Sequence, residues 1–211
     1  PQNPKTPPLS ICNCKLKKFI KMSNITIFMG ETKVTASTVP KTDSQTGKGV
    51  LYWNEKVKAY DGAYQDGFAH GYGSAFYVSD GGEKPYYIGQ WVKGVPHGEG
   101  EIFSREDGSC MFKGWFKEGK RCGKGTGFFA EGASFDGDWF DGKPHGFGKA
   151  TLPKTHTYEG EWVNGRQNGK GKAVFNDNMT YEGEWVLDLM HGQGKMVQPD
   201  GAEYEGLFVK G

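Results

Sequence analysis

Four histidines, His70, His97, His145 and His191, occupy one recurring place in the chain, each ten residues after an aromatic. A regular row of imidazoles suggests metal chemistry, since neutral His is a common ligand for zinc. The spacing speaks against it. On successive strand pairs, equivalent positions lie roughly 10 Å apart, whereas Zn–N bonds are about 2 Å. Cys122 and Asn168 fill the same place elsewhere. The position therefore asks for a polar residue ahead of a turn glycine, and no metal is expected.

A second candidate is Gly119-Lys120-Arg121-Cys122-Gly123-Lys124-Gly125, which resembles a phosphate-binding loop. It has three residues between its first two glycines where such a loop has four, and Gly125 stands where Ser or Thr would ligate Mg²⁺. Ser, His and acidic residues do not assemble into a triad outside the repeat pattern. The reading is a chain without catalytic residues, cofactor or enzymatic activity.

These residues belong to a larger order. Aromatic-x-Gly-x-aromatic, a gap, then Gly-x-Gly recurs with opening aromatics Tyr60, Tyr87, Phe112, Phe135, Tyr158 and Tyr181, and a further copy opens at Tyr204. The spacings are 27, 25, 23, 23, 23 and 23 residues. A fixed short period marks a repeat architecture, in which each unit buries its apolar face only by stacking on neighbours. An extended surface, not one pocket, is then the unit of function.

Within a copy, Tyr158, Gly160 and Trp162 alternate with Glu159 and Glu161. Alternation of period two reads as a half-buried strand with rings on one face and carboxylates on the other. Val163-Asn164-Gly165-Arg166-Gln167-Asn168 is turn-like, and Gly169-Lys170-Gly171-Lys172-Ala173-Val174-Phe175 returns as a second strand. Glycines weaken strands unless something packs close. Here they are expected to leave floor space for large rings. The fold class is all-β: an elongated single-layer antiparallel β-hairpin solenoid, on the order of 60–70 Å long at two strands per repeat.

Composition agrees. The 34 glycines lack a three-residue period, which excludes collagen, and 14% aromatics argue against disorder. A net charge of +1 provides no global field toward nucleic acid or membrane. No apolar run approaches the roughly 20 residues of a spanning helix. Four Cys form no dense framework, and nothing resembles a signal peptide ahead of the sequons at Asn24 and Asn178. A reducing, cytoplasmic setting follows.

Three regions are expected. Residues 1–22 are a disordered basic tail, 23–46 an irregular region with one or two strands (ITIF, KVTAS), and 47–211 the repeat array. Residues 1–46 carry seven Lys against Glu31 and Asp43, a balance of +5. Lys15, Lys17, Lys18 and Lys21 could meet anionic head groups, with Lys120, Arg121 and Lys124 as a second basic patch. A solvated tail and an ordinary charged face are the plainer readings. Gly47–Trp53 matches the second half of a copy whose first half has drifted.

Tyr-x-Gly-x-Trp-x-x-Gly-x-x-x-Gly-x-Gly at 23-residue spacing resembles the MORN (membrane occupation and recognition nexus) repeat, with Tyr158–Gly171 and Tyr87–Gly100 fitting every position. Tyr64 and Phe116 replace Trp, and Asp188 replaces a turn glycine. The resemblance implies a hairpin solenoid that acts as an interaction module. Proteins similar in this way include ciliary radial-spoke components, junctophilins, plant phosphoinositide kinases and a histone-lysine methyltransferase. The expected role is a non-enzymatic scaffold for protein partners in a cytoskeletal assembly, a ciliary or flagellar axoneme by preference. The alternatives are a membrane-contact module, or the regulatory part of an enzyme whose catalytic domain lies elsewhere.

The row Tyr64, Trp91, Phe116, Trp139, Trp162, Trp185, Tyr204 and Phe208 has two readings, core or a contact surface for a partner. The chain starts at Pro1 and stops inside a copy, which reads as a fragment or processed product. The strand at 204–208 would then be covered by further repeats, a second copy (self-association) or another subunit.

Overall fold

The computed structural model describes residues 26–29, 32–34, 46–52, 58–77 and 84–210. The described residues fall into two units that divide after Lys120. The first holds β1 (Thr26–Met29), β2 (Thr32–Val34), β3 (Gly47–Tyr52), β4 (Lys58–Gln65), β5 (Phe68–Phe76), β6 (Pro85–Val92), β7 (Val95–Phe103) and β8 (Cys110–Lys117). Its antiparallel order is β2-β1-β3-β4-β5-β6-β7-β8. The second holds β9 (Lys120–Phe128), β10 (Ser134–Phe140), β11 (Lys143–Leu152), β12 (His156–Val163), β13 (Arg166–Phe175), β14 (Thr180–Val186), β15 (Leu189–Val197) and β16 (Glu203–Phe208), paired in chain order. No α-helix occurs among the described residues. β1 and β2 fall within residues 23–46, and β3 within Gly47–Trp53.

Each copy is a hairpin closed by a two-residue turn. At Asn164-Gly165 both φ values are positive, 52° and 84°. This is the primed turn whose twist matches that of the flanking strands. Leu187-Asp188 adopts the same shape, at 51° and 70°, without a glycine.

The glycines of the motif do two different jobs. Gly169 has φ 101° and sits where the register of β12 and β13 shifts. It is the left-handed residue of a bulge, which corrects the expectation that both second-strand glycines serve as floor. Gly171 is floor. A methyl added there would run into the Tyr158 ring. Gly160 pairs with Gly148 on one side and Gly171 on the other, and Gly171 with Gly183. A row of bare backbone thus crosses the sheet beneath the rings.

On this row the opening aromatics Phe135, Tyr158 and Tyr181 lie over glycine and disappear from solvent. Tyr158 and Tyr181 are 0% exposed although the sheet has a single layer. Each is wedged edge-on between two rings. Tyr158 meets Trp162 of its own copy and Trp185 of the next, both at 5.2 Å and with interplanar angles of 88° and 83°. Phe135 meets Trp139 and Trp162 alike, at 5.4 and 5.1 Å. Such edge-to-face pairs contribute about 0.5–1.5 kcal/mol beyond burial. In the first unit, Tyr87 stands between Trp91 and Phe116 at 4.9 and 5.1 Å.

Polar tips complete the column. Trp162 Nε1–H donates to the Gly148 carbonyl at 3.1 Å, and Trp185 Nε1–H to that of Gly171 at 3.2 Å, each reaching back one copy. The Tyr158 hydroxyl donates to the Glu161 carbonyl at 3.0 Å, within the stretch where the register shifts. Burial pushes the Tyr158 phenol well above its usual range and Tyr181 up to about 12, so both remain donors.

Candidate functional site

The alternation that sends rings to one face sends the intervening residues to the other. In the second unit the register aligns Asp136, Lys149, Glu159, Lys172, Glu182, Lys195 and Glu205 in one row across β10 to β16. The signs alternate from strand to strand. Lys149–Glu159 and Lys172–Glu182 close at 3.7 and 3.3 Å, and Lys195 reaches Glu203 at 2.8 Å. In the first unit, Lys113 meets Glu101 at 3.1 Å. Exposed pairs of this kind contribute about 0.2–1 kcal/mol each.

Beside the charges stand bare apolar side chains. Tyr72 and Trp115 are 65% and 49% exposed in the first unit; Phe147 and Leu207 are 54% and 62% exposed in the second. Val163, Val186 and Leu187 form a further apolar set at the hairpin tips. In each unit the outer face is therefore a mixed surface. Among the described residues no cluster of His, Cys, Asp or Glu is placed to hold a metal.

The aromatic row, read from the sequence as core or as a contact surface, lies in the core. Tyr64, Trp91, Phe116, Trp139, Trp162, Trp185 and Phe208 are between 2% and 9% exposed. Only Tyr204, at 53%, is open. The reason is the glycine floor, which lets a ring lie against its own sheet and be sealed by the next ring without a second layer.

The basic patch is largely committed within the fold. Lys124 pairs with Asp138 at 2.9 Å, and the Arg121 guanidinium stacks over Trp139 at 4.7 Å. Lys120 is exposed. Lys15, Lys17, Lys18 and Lys21 lie outside the described residues.

His145, in the His row, has a structural task. The Asn164 N–H points to His145 Nδ1 at 3.5 Å, and the Leu187 N–H to Asn168 Oδ1 at 3.4 Å. In the repeats opening at Phe135 and Tyr158, the residue ten after the opening ring thus faces the turn of the next hairpin. Glu161 has a role that its exposed place in the strand does not announce. It folds back over the bulge and accepts the Lys170 N–H at 3.1 Å, as Asp138 accepts that of Phe147 at 3.2 Å. The signal in the sequence is the pairing of an acid three residues after the opening ring with a glycine eight further on.

Sequence reading also missed a substitution pair. The turn glycine N–H normally donates to a carbonyl of the preceding copy, as Gly165 does to Pro144 at 2.8 Å. In the next copy Asp188 replaces the glycine and Gln167 the proline. Asp188 N–H donates to the Gln167 carbonyl at 3.0 Å, and its Oδ1 accepts the Gln167 N–H at 2.8 Å. An N–H that proline lacks is thereby satisfied.

The profile of the MORN repeat matches residues 60–81, 87–104, 112–132, 135–156, 158–180 and 181–203. The chain belongs to the MORN repeat family. Its six matched MORN repeats begin at the six opening aromatics from Tyr60 to Tyr181. Comparison with curated proteins returned no match. MORN repeats in general mediate protein or membrane contacts.

Proposed function

We propose that this MORN repeat chain is a non-enzymatic, cytoplasmic scaffold that binds protein partners across its outer sheet face, or at its β16 edge, within a cytoskeletal assembly. The preferred setting is a ciliary or flagellar axoneme, in a position like that of a radial-spoke component. The observation that carries the reading is the division of labour between the two faces. The rings are consumed in holding repeat to repeat, so they build the sheet and do not bind. Tyr72 and Trp115 stand open on the outer face of the first unit, and Phe147 and Leu207 on that of the second, each set among charges. Exposed apolar groups with a charged surround are the composition of a protein contact.

The test has two parts. A tagged chain expressed in ciliated cells is extracted with detergent. Retention with the axoneme is the expected result, and release with the soluble fraction contradicts the setting. Cross-linking is then compared for the parent chain and a Trp115→Ser, Phe147→Ser variant. Loss of partner cross-links with an unchanged far-UV spectrum is expected. Salt-sensitive binding of the chain to anionic vesicles, with no protein cross-links, would favour a membrane-contact module instead.

A further inference from the structure

At the start of β12 the core admits a histidine. His156 is 2% exposed. Its ring stacks on Trp185 at 6.3 Å and 15°, and leans on Phe175 at 5.1 Å. Its Nε2 lies 2.9 Å from Nε2 of Gln167, which is itself fully buried. For that contact to be a hydrogen bond donated by the amide, the imidazole must be neutral and carry its proton on Nδ1. Nδ1 of His156, Oε1 of Gln167 and Oγ1 of Thr155 are buried without partners.

No carboxylate offsets a charge here. β13 presents Gln167 and Phe175 to the ring, and β14 presents Trp185. Asp188 accepts the Gln167 backbone N–H and is influenced by Arg166. Lys154, ahead of β12, pairs with Glu131 at 2.6 Å. Desolvation and the Gln167 bond are what bear on His156.

We propose that His156 makes the joint between the repeats opening at Tyr158 and Tyr181 acid-labile: a neutral ring closes it, and a protonated ring opens it. The imidazolium donates at both nitrogens. One N–H then opposes the Gln167 amide N–H. Turning the amide supplies Oε1 to that N–H but strands the amide NH₂, and the Nδ1–H still finds no acceptor. A buried unpaired charge is the costliest group a core can hold. Its relief is to leave the Trp185 face, which unseals Tyr158 and uncouples β13 from β14.

The direction with pH follows. Burial lowers the His156 pKa from 6.5 to about 4. The open form therefore takes up the proton first. The contribution of neutral His156 is complete above pH 6.5 and is lost as the pH falls toward 4. Asp188 works in the opposite sense, because burial raises its pKa and low pH relieves it.

Hydrogen exchange of the full chain at pH 7 and pH 4, corrected for intrinsic rates, tests the proposal. The opening equilibrium over residues 156–188 should rise on the order of 100-fold at pH 4, beyond any rise over 58–117. His156→Met and Gln167→Met import Met179 and Met190, the residues at the equivalent places one repeat on, and should flatten the response. An equal rise in both regions, or an undiminished rise in a folded Met variant, overturns the proposal. A readout without substitution is the His156 C2–H resonance. A titration midpoint near 4 is expected, and one near 6.5 would overturn the proposal.

Discussion

The joint between the repeats opening at Phe135 and Tyr158 and the joint one repeat further on have the same geometry and different chemistry. In both, an indole N–H reaches back to a glycine carbonyl, and a turn N–H reaches back to the second strand of the previous hairpin. The first joint does this with Pro144 and Gly165. The second uses Gln167 and Asp188, and brings in His156 two residues ahead of the opening ring, where the earlier repeat has Ala133. The motif therefore fixes positions of backbone and rings, while the small positions vary in linked pairs. Replacing proline by a residue with an N–H is accommodated when the facing turn supplies an acceptor. The cost appears as buried polar atoms without partners, and as sensitivity to protons.

If the ring column is common to both joints, removing either indole should hurt equally. Trp162→Ala and Trp185→Ala should each cost roughly 3–5 kcal/mol in urea unfolding. A difference between them larger than that range would break the claim that the two joints share one core. The next effect separates them. Gln167→Pro leaves the Asp188 carboxylate without its N–H and also removes the amide beside His156. Asp188→Gly leaves the Gln167 N–H unpaired. Each should cost about 1–3 kcal/mol. The double variant restores the Pro-Gly chemistry of the first joint and should lose less than the sum, with a coupling of about 1–2 kcal/mol in a double-mutant cycle. Additive losses would mean that the pair is coincidental. The smallest effect exchanges a hydroxyl. Phe135→Tyr adds the group that Tyr158 uses on the Glu161 carbonyl, and should gain about 0.5–1.5 kcal/mol by capping the Asp138 carbonyl. Tyr158→Phe should lose a similar amount, and denaturant midpoints report both.

The hairpins, their turns and the ring-over-glycine packing were legible in the sequence because they follow from period-two alternation and from turn residues at fixed offsets. The two functions of Gly169 and Gly171 were not separable by type, since both are glycine. Only the φ of 101° at the one and the ring above the other distinguish them. The aromatic row was left open between core and contact surface for a related reason. Large aromatics in a single layer look as though they must stay partly wet, and the floor that seals them emerges only when glycines of neighbouring strands come into register. The outer face carries no spacing signal of its own. Trp115 stands where other repeats have Ala63, Gln90, Asp138, Glu161 or Glu184, and Phe147 where others have Glu99, Lys124, Lys170 or Gln193. The Gln167–Asp188 pair lies 21 residues apart, and its link becomes visible only once the hairpins stack.

The central claim is that each repeat stands on its neighbours through the ring column, so damage should remain local. Residue-resolved hydrogen exchange of Trp162→Ala against the parent chain measures this directly. Protection should fall over β10 to β14, the strands that carry Phe135, Tyr158 and Trp185, and stay unchanged over β4 to β7. A uniform fall across residues 60–210 would contradict the account.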